Sequence, residues 1–367
     1  MDPIIAATQA DPYPYYAELR ARGGLTFHHP QKLWVASSAR AVCAVLAHAD
    51  CQVRPTQEPV PKAIASGMAG KVFARLMRMN EGERQRCPRS AIEPALDVFD
   101  AARVRALVAA RLISADADGV YKAMFRGPVC VVAALLGFSP AQGRAISELT
   151  ADFVACLSPL SNDLQLMAAH AAAEQLRGYF IELLAESNSD WLKAILQRFA
   201  GDEETLIANL IGLCSQTFEA TAGLIGNALV AVRRQPALRS APMDALLAEV
   251  QRFDPSVQNT RRFVAQACEI DGVRVEAGEV ILLLLASANR DPALNERPDE
   301  FLLDRPNRHS FSFGSGRHQC PGQRLALTIA AATVGEILDH GVNLQQLAWH
   351  YRPSLNGRVP LFSQAQC

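Results

Sequence analysis

The sequence predicts a mostly α-helical fold with a smaller β portion, of the α+β class. From about 101 to 253, apolar residues recur at helical spacing in segments rich in Ala and Leu, with few β-branched clusters. From 260 to 286 the pattern changes to short alternating or apolar runs separated by glycines, which is typical of strands. Because the strands are grouped and do not alternate with helices, a parallel βαβ architecture is not expected.

Start and stop signals divide these patterns into elements. A short helix follows Asp11 and ends at Gly23, and Asp254-Pro255 stops another. Segments predicted as helices are 11–23, 39–48, 101–113, 117–137, 140–157, 163–186, 203–234, 243–253 and 321–339. Segments predicted as strands are 25–30 and 32–37 (a hairpin), 260–265, 268–270, 273–275 and 280–286, with a second hairpin in the tail from 342. Residues 51–69, which carry three prolines, are predicted to be irregular.

Composition narrows the class of protein. Half of the 367 residues are hydrophobic and the formal net charge is −1, which argues against a nucleic-acid binder. The nine cysteines are odd in number and form no CxxC pair, so we expect neither a disulfide framework nor a zinc site, and a reducing cytoplasm suits them. The N-terminal residues 1–6 have no basic region and no long apolar run, so no signal peptide or membrane anchor is expected.

The segment 313–322 carries the strongest chemical signal. Cys320 lies in a glycine-rich loop, shortly after Arg317 and His318 and before a predicted helix. A helix N-terminus stabilises a thiolate, which is the form of cysteine that binds metal. The alternative is a structural cysteine in a turn, which is the more common role of a single cysteine.

The spacing Phe-x-x-Gly-x-His-x-Cys-x-Gly in this loop resembles the haem-binding loop of the cytochrome P450 family. Glu249 and Arg252 are one helical turn apart, and Asn289-Arg-Asp-Pro and Arg305 follow. This order is similar to the Glu-x-x-Arg motif and downstream arginine that brace the haem loop in that family. The opening Asp-Pro-Tyr-Pro at 11–14 agrees as well, so the resemblance covers essentially the whole chain.

The resemblance implies a single P450 domain over 1–367. Its β-rich lobe would comprise about 25–38, 260–286 and 342–367, and its helical lobe about 70–253 and 321–339. The implied cofactor is haem b, with Cys320 as the axial thiolate ligand of its iron. The residues expected to contact the haem are Arg84, Arg262, Phe313, Gly314, His318, Cys320 and Gly322. Arg84 replaces a histidine of the family pattern, and Pro88 replaces its arginine, so no partner is expected one turn after Arg84.

The long helix 203–234 departs from the family at its centre. In P450s an acid and the alcohol after it relay protons for oxygen activation; here Glu219 keeps the acid, but Ala220 replaces the alcohol. The preceding Ala-Gly pair has become Gln216-Thr217. Three explanations stay open: Thr217 or Gln216 holds the needed water, the substrate supplies a hydroxyl, or the enzyme does not run ordinary dioxygen activation. The expected catalytic residues are Gln216, Thr217, Glu219 and Ala220.

The resemblance implies a cytoplasmic haem-thiolate monooxygenase acting on a small organic substrate, such as a secondary metabolite. Electrons would come from NAD(P)H through a reductase and a ferredoxin or flavodoxin. That partner would dock near the basic run 75–89, which is otherwise a solvated helix face. Two other functions stay open: a haem-thiolate enzyme that uses peroxide or nitric oxide or catalyses a rearrangement, and a non-catalytic haem protein that binds a ligand.

Overall fold

The computed structural model describes residues 2–111, 114–186 and 189–364, and within them the fold is mostly helical with small sheets. The α-helices are α1 (Tyr13–Ala21), α2 (Ala39–Ala47), α3 (Met68–Arg75), α4 (Glu83–Asp97), α5 (Ala101–Ala109), α6 (Ala117–Tyr121), α7 (Gly127–Leu136), α8 (Pro140–Phe153), α9 (Asp163–Glu186), α10 (Asp190–Leu196), α11 (Glu203–Arg234), α12 (Met243–Phe253), α13 (Leu285–Asn289) and α14 (Gln323–Asp339). The strands are β1 (Leu25–His28), β2 (Leu33–Ala36), β3 (Cys51–Gln52), β4 (Thr260–Val264), β5 (Cys268–Ile270), β6 (Val273–Val275), β7 (Val280–Leu283), β8 (Leu347–Tyr351) and β9 (Pro360–Gln364). The α+β prediction is therefore confirmed.

Several predicted elements differ in the structure. The predicted helix 140–157 is divided into α8 and a 3-10 helix, Val154–Leu157, and the predicted strand 25–30 ends at His28. The stretch 51–69, predicted to be irregular, contains β3 and the first residues of α3. The predicted helix 117–137 contains a π-helical segment, Lys122–Arg126, between α6 and α7. Pro128 has no amide hydrogen to donate one turn back, and a wider turn keeps its ring away from that carbonyl. The predicted strand 280–286 ends at Leu283, where α13 follows within two residues. Residues 112–113 of one predicted helix, and 365–367 of the tail, lie outside the described residues.

The chain forms two compact units, each of which is described by itself. The first comprises 1–57, 223–320 and 344–367, and the second comprises 58–222 and 321–343. The division of the chain into a β-rich and a helical lobe within one domain stays a prediction.

A mixed five-stranded sheet organises the first unit. Its strand order is β1-β2-β7-β4-β3, with β2 and β7 parallel and the other neighbours antiparallel. Alternate residues of the strands face opposite sides, so one face packs against α2 and the other against α1. The first face includes Ala36, Ile281 and Leu283 with Val42 and Val45 of α2. The second includes Val35, Leu282 and Leu284 with Tyr16 and Leu19 of α1.

Helix packing organises the second unit. α8 packs against α7 and α9, α14 packs against α5, and α3 packs against α9. By length and hydropathy alone, residues Ala117–Leu136 could cross a membrane, but 67% of that window is buried inside the protein, as in a core helix. The apolar character of this segment is thus accounted for by packing within the fold.

Candidate functional site

The loop around Cys320 is a closed, hydrogen-bonded turn. The amide of Cys320 donates to the carbonyl of Phe313 at 2.8 Å, and the amide of Gly314 donates to that of Phe311 at 2.7 Å. Gly314 has a φ of +70°, a left-handed conformation that glycine adopts without strain. The Cys320 residue is half-buried, so its thiol is carried by a fixed backbone but is not enclosed by the protein.

Asn289 ties this loop to the end of α12. Its Oδ1 accepts a hydrogen bond from the amide of Phe311 at 2.7 Å, and its Nδ2 donates to Ser312 Oγ at 3.0 Å. The Ser312 hydroxyl in turn donates to the carbonyl of Gln251 in α12. Since Asn289 is fully buried, these bonds are shielded from water and fix where the loop begins.

A buried ion-pair cluster supports the same region. The carboxylate of Glu249 binds Arg252 at 2.6 Å, Arg305 at 3.2 Å and Arg308 at 2.9 Å, and the Glu249 side chain is fully buried. The predicted pairing of Glu249 with Arg252 and Arg305 is therefore present, and Arg308 is an additional member. Burial acts to raise the pKa of Glu249, but the hydrogen bonds from Arg252, the Leu302 amide and Arg308 outweigh it and hold that pKa below its usual range.

The guanidinium groups of this cluster are themselves tied to backbone. Arg252 donates to the carbonyls of Pro298 and Glu300 at 2.7 and 2.9 Å, and Arg305 donates to that of Glu300 at 2.7 Å. One carboxylate thus orders the irregular stretch from 296 to 308 that leads into the Cys320 loop. The cost of burying these charges is met by nearly complete hydrogen bonding.

Arg317 fixes the other side of the loop. Its guanidinium donates to the carbonyls of His48 and Cys51 at 3.0 and 2.8 Å, just after α2. Arg262 lies on β4, is buried, and donates to the carbonyl of Arg261 at 2.9 Å. Both guanidinium groups act to lower the pKa of the Cys51 thiol, which burial nevertheless raises to about 12. Arg262 and Arg317 therefore lie near one residue, Cys51, within the first unit; His318 of the loop is half-buried.

The expected haem contacts of the second unit are less enclosed. Arg84 is exposed near the start of α4 and has no hydrogen-bond or ion-pair partner in the described part of the chain. Pro88 is buried within the same helix. Gly322 is the N-cap residue of α14, and a Cβ there would meet only Leu96, at 4.0 Å. Gly322 is therefore not required by crowding from the protein itself.

The centre of α11 has one distinct face. From 206 to 230 every residue is buried except Gln216, Thr217, Glu219 and Ala220, which are half-buried. At 100° per residue these four positions share one side of the helix. The Thr217 hydroxyl donates to the carbonyl of Leu213 at 2.7 Å, and Gln216 Nε2 donates to that of Gly212 at 3.0 Å. The hydroxyl proton of Thr217 is thus committed to the helix, while its oxygen can still accept a hydrogen bond.

The residues of the Cys320 loop fit a haem-thiolate site. A half-buried thiol, which can ligate iron, sits on a loop whose backbone is fixed on both sides. Two cationic or protonatable side chains of the same unit, Arg262 and His318, are of the type that binds carboxylates such as haem propionates.

Two contributions were not predicted from the sequence. Arg308 follows Arg305 in an irregular segment with no periodicity, so nothing in the pattern assigns it to Glu249. The role of Arg317 as a clamp depends on carbonyls more than 260 residues earlier in the chain. The only signal for this role in the sequence is the position of Arg317 in the loop, after two glycines and before the cysteine.

Comparison with known proteins points to one family. The family model for cytochrome P450 matches residues 242–340, which contain Glu249, Asn289 and the Cys320 loop. The "Putative cytochrome P450 133B1" of Xylella fastidiosa is 34% identical over 241 residues, which are 60% of this chain and 59% of that protein. The match spans less than two thirds of the length of that relative and of two others from the same species.

Solved structures agree along nearly the whole chain. P450BioI, solved with an acyl carrier protein ligated to hexadec-9Z-enoic acid, has a TM-score of 0.82 at 24% identity and covers 97% of this chain and 99% of its own. CalO2 has a TM-score of 0.83 at 23% identity and covers 100% of this chain and 98% of its own. At these identities the likeness concerns the fold. The family model, the curated relatives and this fold all support a cytochrome P450.

Proposed function

We propose that this protein is a haem-thiolate monooxygenase that inserts one oxygen atom from O2 into a small organic substrate, with Cys320 as the axial ligand of haem b. The observation that carries the proposal is the Cys320 loop: a half-buried thiol on a closed turn, fixed by Asn289 on one side and Arg317 on the other. A structural cysteine in a core would be enclosed and would not need this support.

When bound, the haem supplies the iron chemistry by which O2 is reduced and one oxygen atom is transferred. The chain supplies the ligand and its orientation. Cys320 provides a thiolate, which donates electron density to the metal. Arg262, His318 and Arg84 would pair with the propionates, and Phe313, Gly314 and Gly322 would contact the ring. Of these, Arg84 has the weakest support, because it is exposed at the start of α4.

Proton delivery is assigned to Glu219 with an ordered water or a substrate hydroxyl. Ala220 has no side-chain proton to give, and the Thr217 proton is bound to the Leu213 carbonyl. The oxygen of Thr217 can accept a hydrogen bond from water and hold it on the half-buried face of α11. Gln216, whose Nε2 is bound to Gly212, keeps a carbonyl oxygen for the same purpose or for the substrate.

Electrons reach the site from NAD(P)H through a reductase and a ferredoxin or flavodoxin in the cytoplasm, in a pathway of secondary metabolism. The run 75–89 has five arginines against two glutamates, which favours an acidic partner. Arg86 and Arg89 are engaged by Glu83 and Glu93, whereas Arg78 is exposed and is not among the expected haem contacts. We expect an electron-transfer rate that falls steeply with ionic strength and falls further in Arg78→Glu.

The ligand assignment is tested by substitution of the thiol. Cys320→Ser should abolish the long-wavelength Soret band of the reduced CO complex that thiolate ligation gives. Cys43→Ser, at an exposed cysteine of α2, is the control and should leave the band unchanged. Persistence of the band in Cys320→Ser would show that another residue ligates the iron.

The altered face of α11 favours one alternative, an enzyme that uses peroxide or nitric oxide or rearranges its substrate. The supporting observation is that Ala220 occupies a half-buried position where the family has an alcohol. Product formation that requires NAD(P)H and the redox partner would support the monooxygenase. Turnover with peroxide alone would support the alternative, and no turnover across a broad substrate panel would leave a haem protein that only binds a ligand.

A further inference from the structure

Helix α3 begins without a capping side chain of its own. Its N-cap residue is Gly67, and the amide of Ala69, at the second helical position, is one that an N-cap side chain usually satisfies. Here the ring of His170, from α9, takes that role: its Nδ1 lies 3.2 Å from the Ala69 nitrogen and accepts the hydrogen bond. A Cβ on residue 67 would lie 2.1 Å from the same Nδ1, so only glycine leaves room for the ring.

The other end of α3 is held by a second helix. Asn209 of α11 accepts a hydrogen bond from the amide of Met77 at 2.8 Å and donates to the carbonyl of Arg75 at 2.9 Å. Asn209 is buried, whereas His170 is half-buried. The helix is therefore fixed at both ends by side chains from elsewhere in the second unit, one amide and one imidazole.

The residue directly after α3 lies close to the half-buried face of α11. Leu76, directly after α3, lies so close to Gly212 that a Cβ there would be 2.9 Å from Leu76 Cδ2 and 3.2 Å from Gln216 Nε2. Leu76 and the Gln216 amide thus share the space above Gly212. Any displacement of α3 would change the surroundings of Gln216, one of the half-buried residues of α11.

We propose that His170 is a positioning residue: its neutral ring caps α3 and fixes the wall beside Gln216, and protonation of the ring releases that end while Asn209 retains the other. That the wall beside Gln216 faces a bound substrate rests on the proposed function. Because Nδ1 accepts the bond from Ala69, it must be unprotonated, and a protonated imidazole can only donate. The capped form is therefore favoured at higher pH and the released form at lower pH.

Charged groups of both signs lie on α9 and on the elements that pack against it. Within the described residues no carboxylate lies within ion-pair distance of His170. The titratable or charged groups on these elements are Lys62 before α3, Lys71 and Arg75 on α3, Arg144, Glu148 and Asp152 on α8, Cys156 after α8, and Glu174 one turn along α9.

Amide hydrogen exchange of the holoenzyme tests the cap directly. After correction for the intrinsic rate, His170→Ala should speed exchange in residues 68–71 by about fivefold, the usual effect of losing an N-cap bond. His170→Asn should restore protection, because its Oδ1 occupies the place of Nδ1 and accepts the same bond. The wild type should lose protection as the pH is lowered, whereas His170→Asn should not. Gln175→Ala, on the exposed side of α9, is the matched control.

Azole binding tests the link to the pocket. We expect His170→Ala to weaken binding of 4-phenylimidazole, read from the Soret shift, by about fivefold relative to imidazole, and His170→Asn to restore it. If neither azole shifts the wild-type Soret band, the proposed function fails. The exchange data would still show whether His170 caps α3. Protection in 68–71 that is independent of both pH and His170 would overturn the inference, as would exchange effects with no change in the ratio of azole affinities.

Discussion

The amide of Cys320 donates to the carbonyl of Phe313 at 2.8 Å, and this bond closes the turn that carries the thiol. The six residues between them must reverse the chain within a short distance. Gly314 makes this possible with a φ of +70°. The position of the thiol therefore depends on a backbone conformation as much as on the residues that surround the loop.

Gly314→Ala should loosen this turn. A Cβ in the left-handed region costs about 1–2 kcal/mol, and here it would also approach the carbonyl of His318 at 3.5 Å. We expect lower haem retention and a weaker reduced-CO band from thiolate ligation. Gly341→Ala, with a φ of +75° just after α14, introduces the same strain away from the loop and should lower the melting temperature but keep the band. Equal spectra for the two variants would contradict the argument.

Glu249→Gln should be among the most destabilising single substitutions of the chain. The amide removes the charge that three arginines share, and the Glu249 and Arg252 side chains are fully buried. Breaking a buried ion pair costs about 3–5 kcal/mol, which denaturant unfolding of the holoenzyme would measure. Glu83→Gln breaks an exposed pair with Arg86 and should cost less than about 1 kcal/mol. A Glu249→Gln cost as small as the control would show that the cluster is not the support of the loop.

The same carboxylate predicts an acid limit to stability. The pKa of Glu249 is lowered in the folded protein, so its contribution is present above the pKa of the unfolded glutamate, about 4.3, and is lost as pH falls through the folded value. Unfolding free energies measured from about pH 6 to about pH 3 should therefore fall steeply at the acid end. In Glu249→Gln this slope should be shallower, and an unchanged slope would assign the acid limit to other groups.

Local patterns identified the elements and the main motifs, because helices and strands bury one face at a fixed period. The Cys320 loop, the pair Glu249–Arg252 and the two hairpins could be predicted because their partners are close in sequence or follow a family pattern. The boundary within 117–137 was missed because a single proline changes the turn locally. Predicting the extent of 280–286 failed because an apolar run fits a buried strand and a buried helix equally well.

Contacts between residues far apart in the chain could not be predicted from the sequence. His170 and Ala69 are 101 positions apart, and Asn209 and Met77 are 132 apart. A half-buried histidine on an Ala-rich helix is usually a packing residue, so its type gives no hint of a partner. Gly67 lies in a stretch that the sequence predicts to be irregular. The reason for a glycine there is the ring of His170, which would clash with a Cβ at this position.

Thr217 should carry part of the proton delivery that Ala220 cannot. Thr217→Val keeps the shape but removes the oxygen that can hold a water on the half-buried face of α11, whereas Thr217→Ser keeps it. With substrate and redox partner present, we expect Thr217→Val to lower product formed per NAD(P)H by about tenfold or more and to raise peroxide release, with Thr217→Ser near the wild type.

A matched control is available in α14, where the Thr328 hydroxyl makes the same bond to the carbonyl four residues earlier, at 2.9 Å. Thr328→Val should not change the coupling of product to NAD(P)H, which separates loss of a helix hydrogen bond from loss of a water site. If Thr217→Val couples like the wild type, Thr217 does not hold the water. In that case Ala220→Thr becomes decisive, because an added alcohol should lower activity if a substrate hydroxyl fills that space and raise it if the space holds only water.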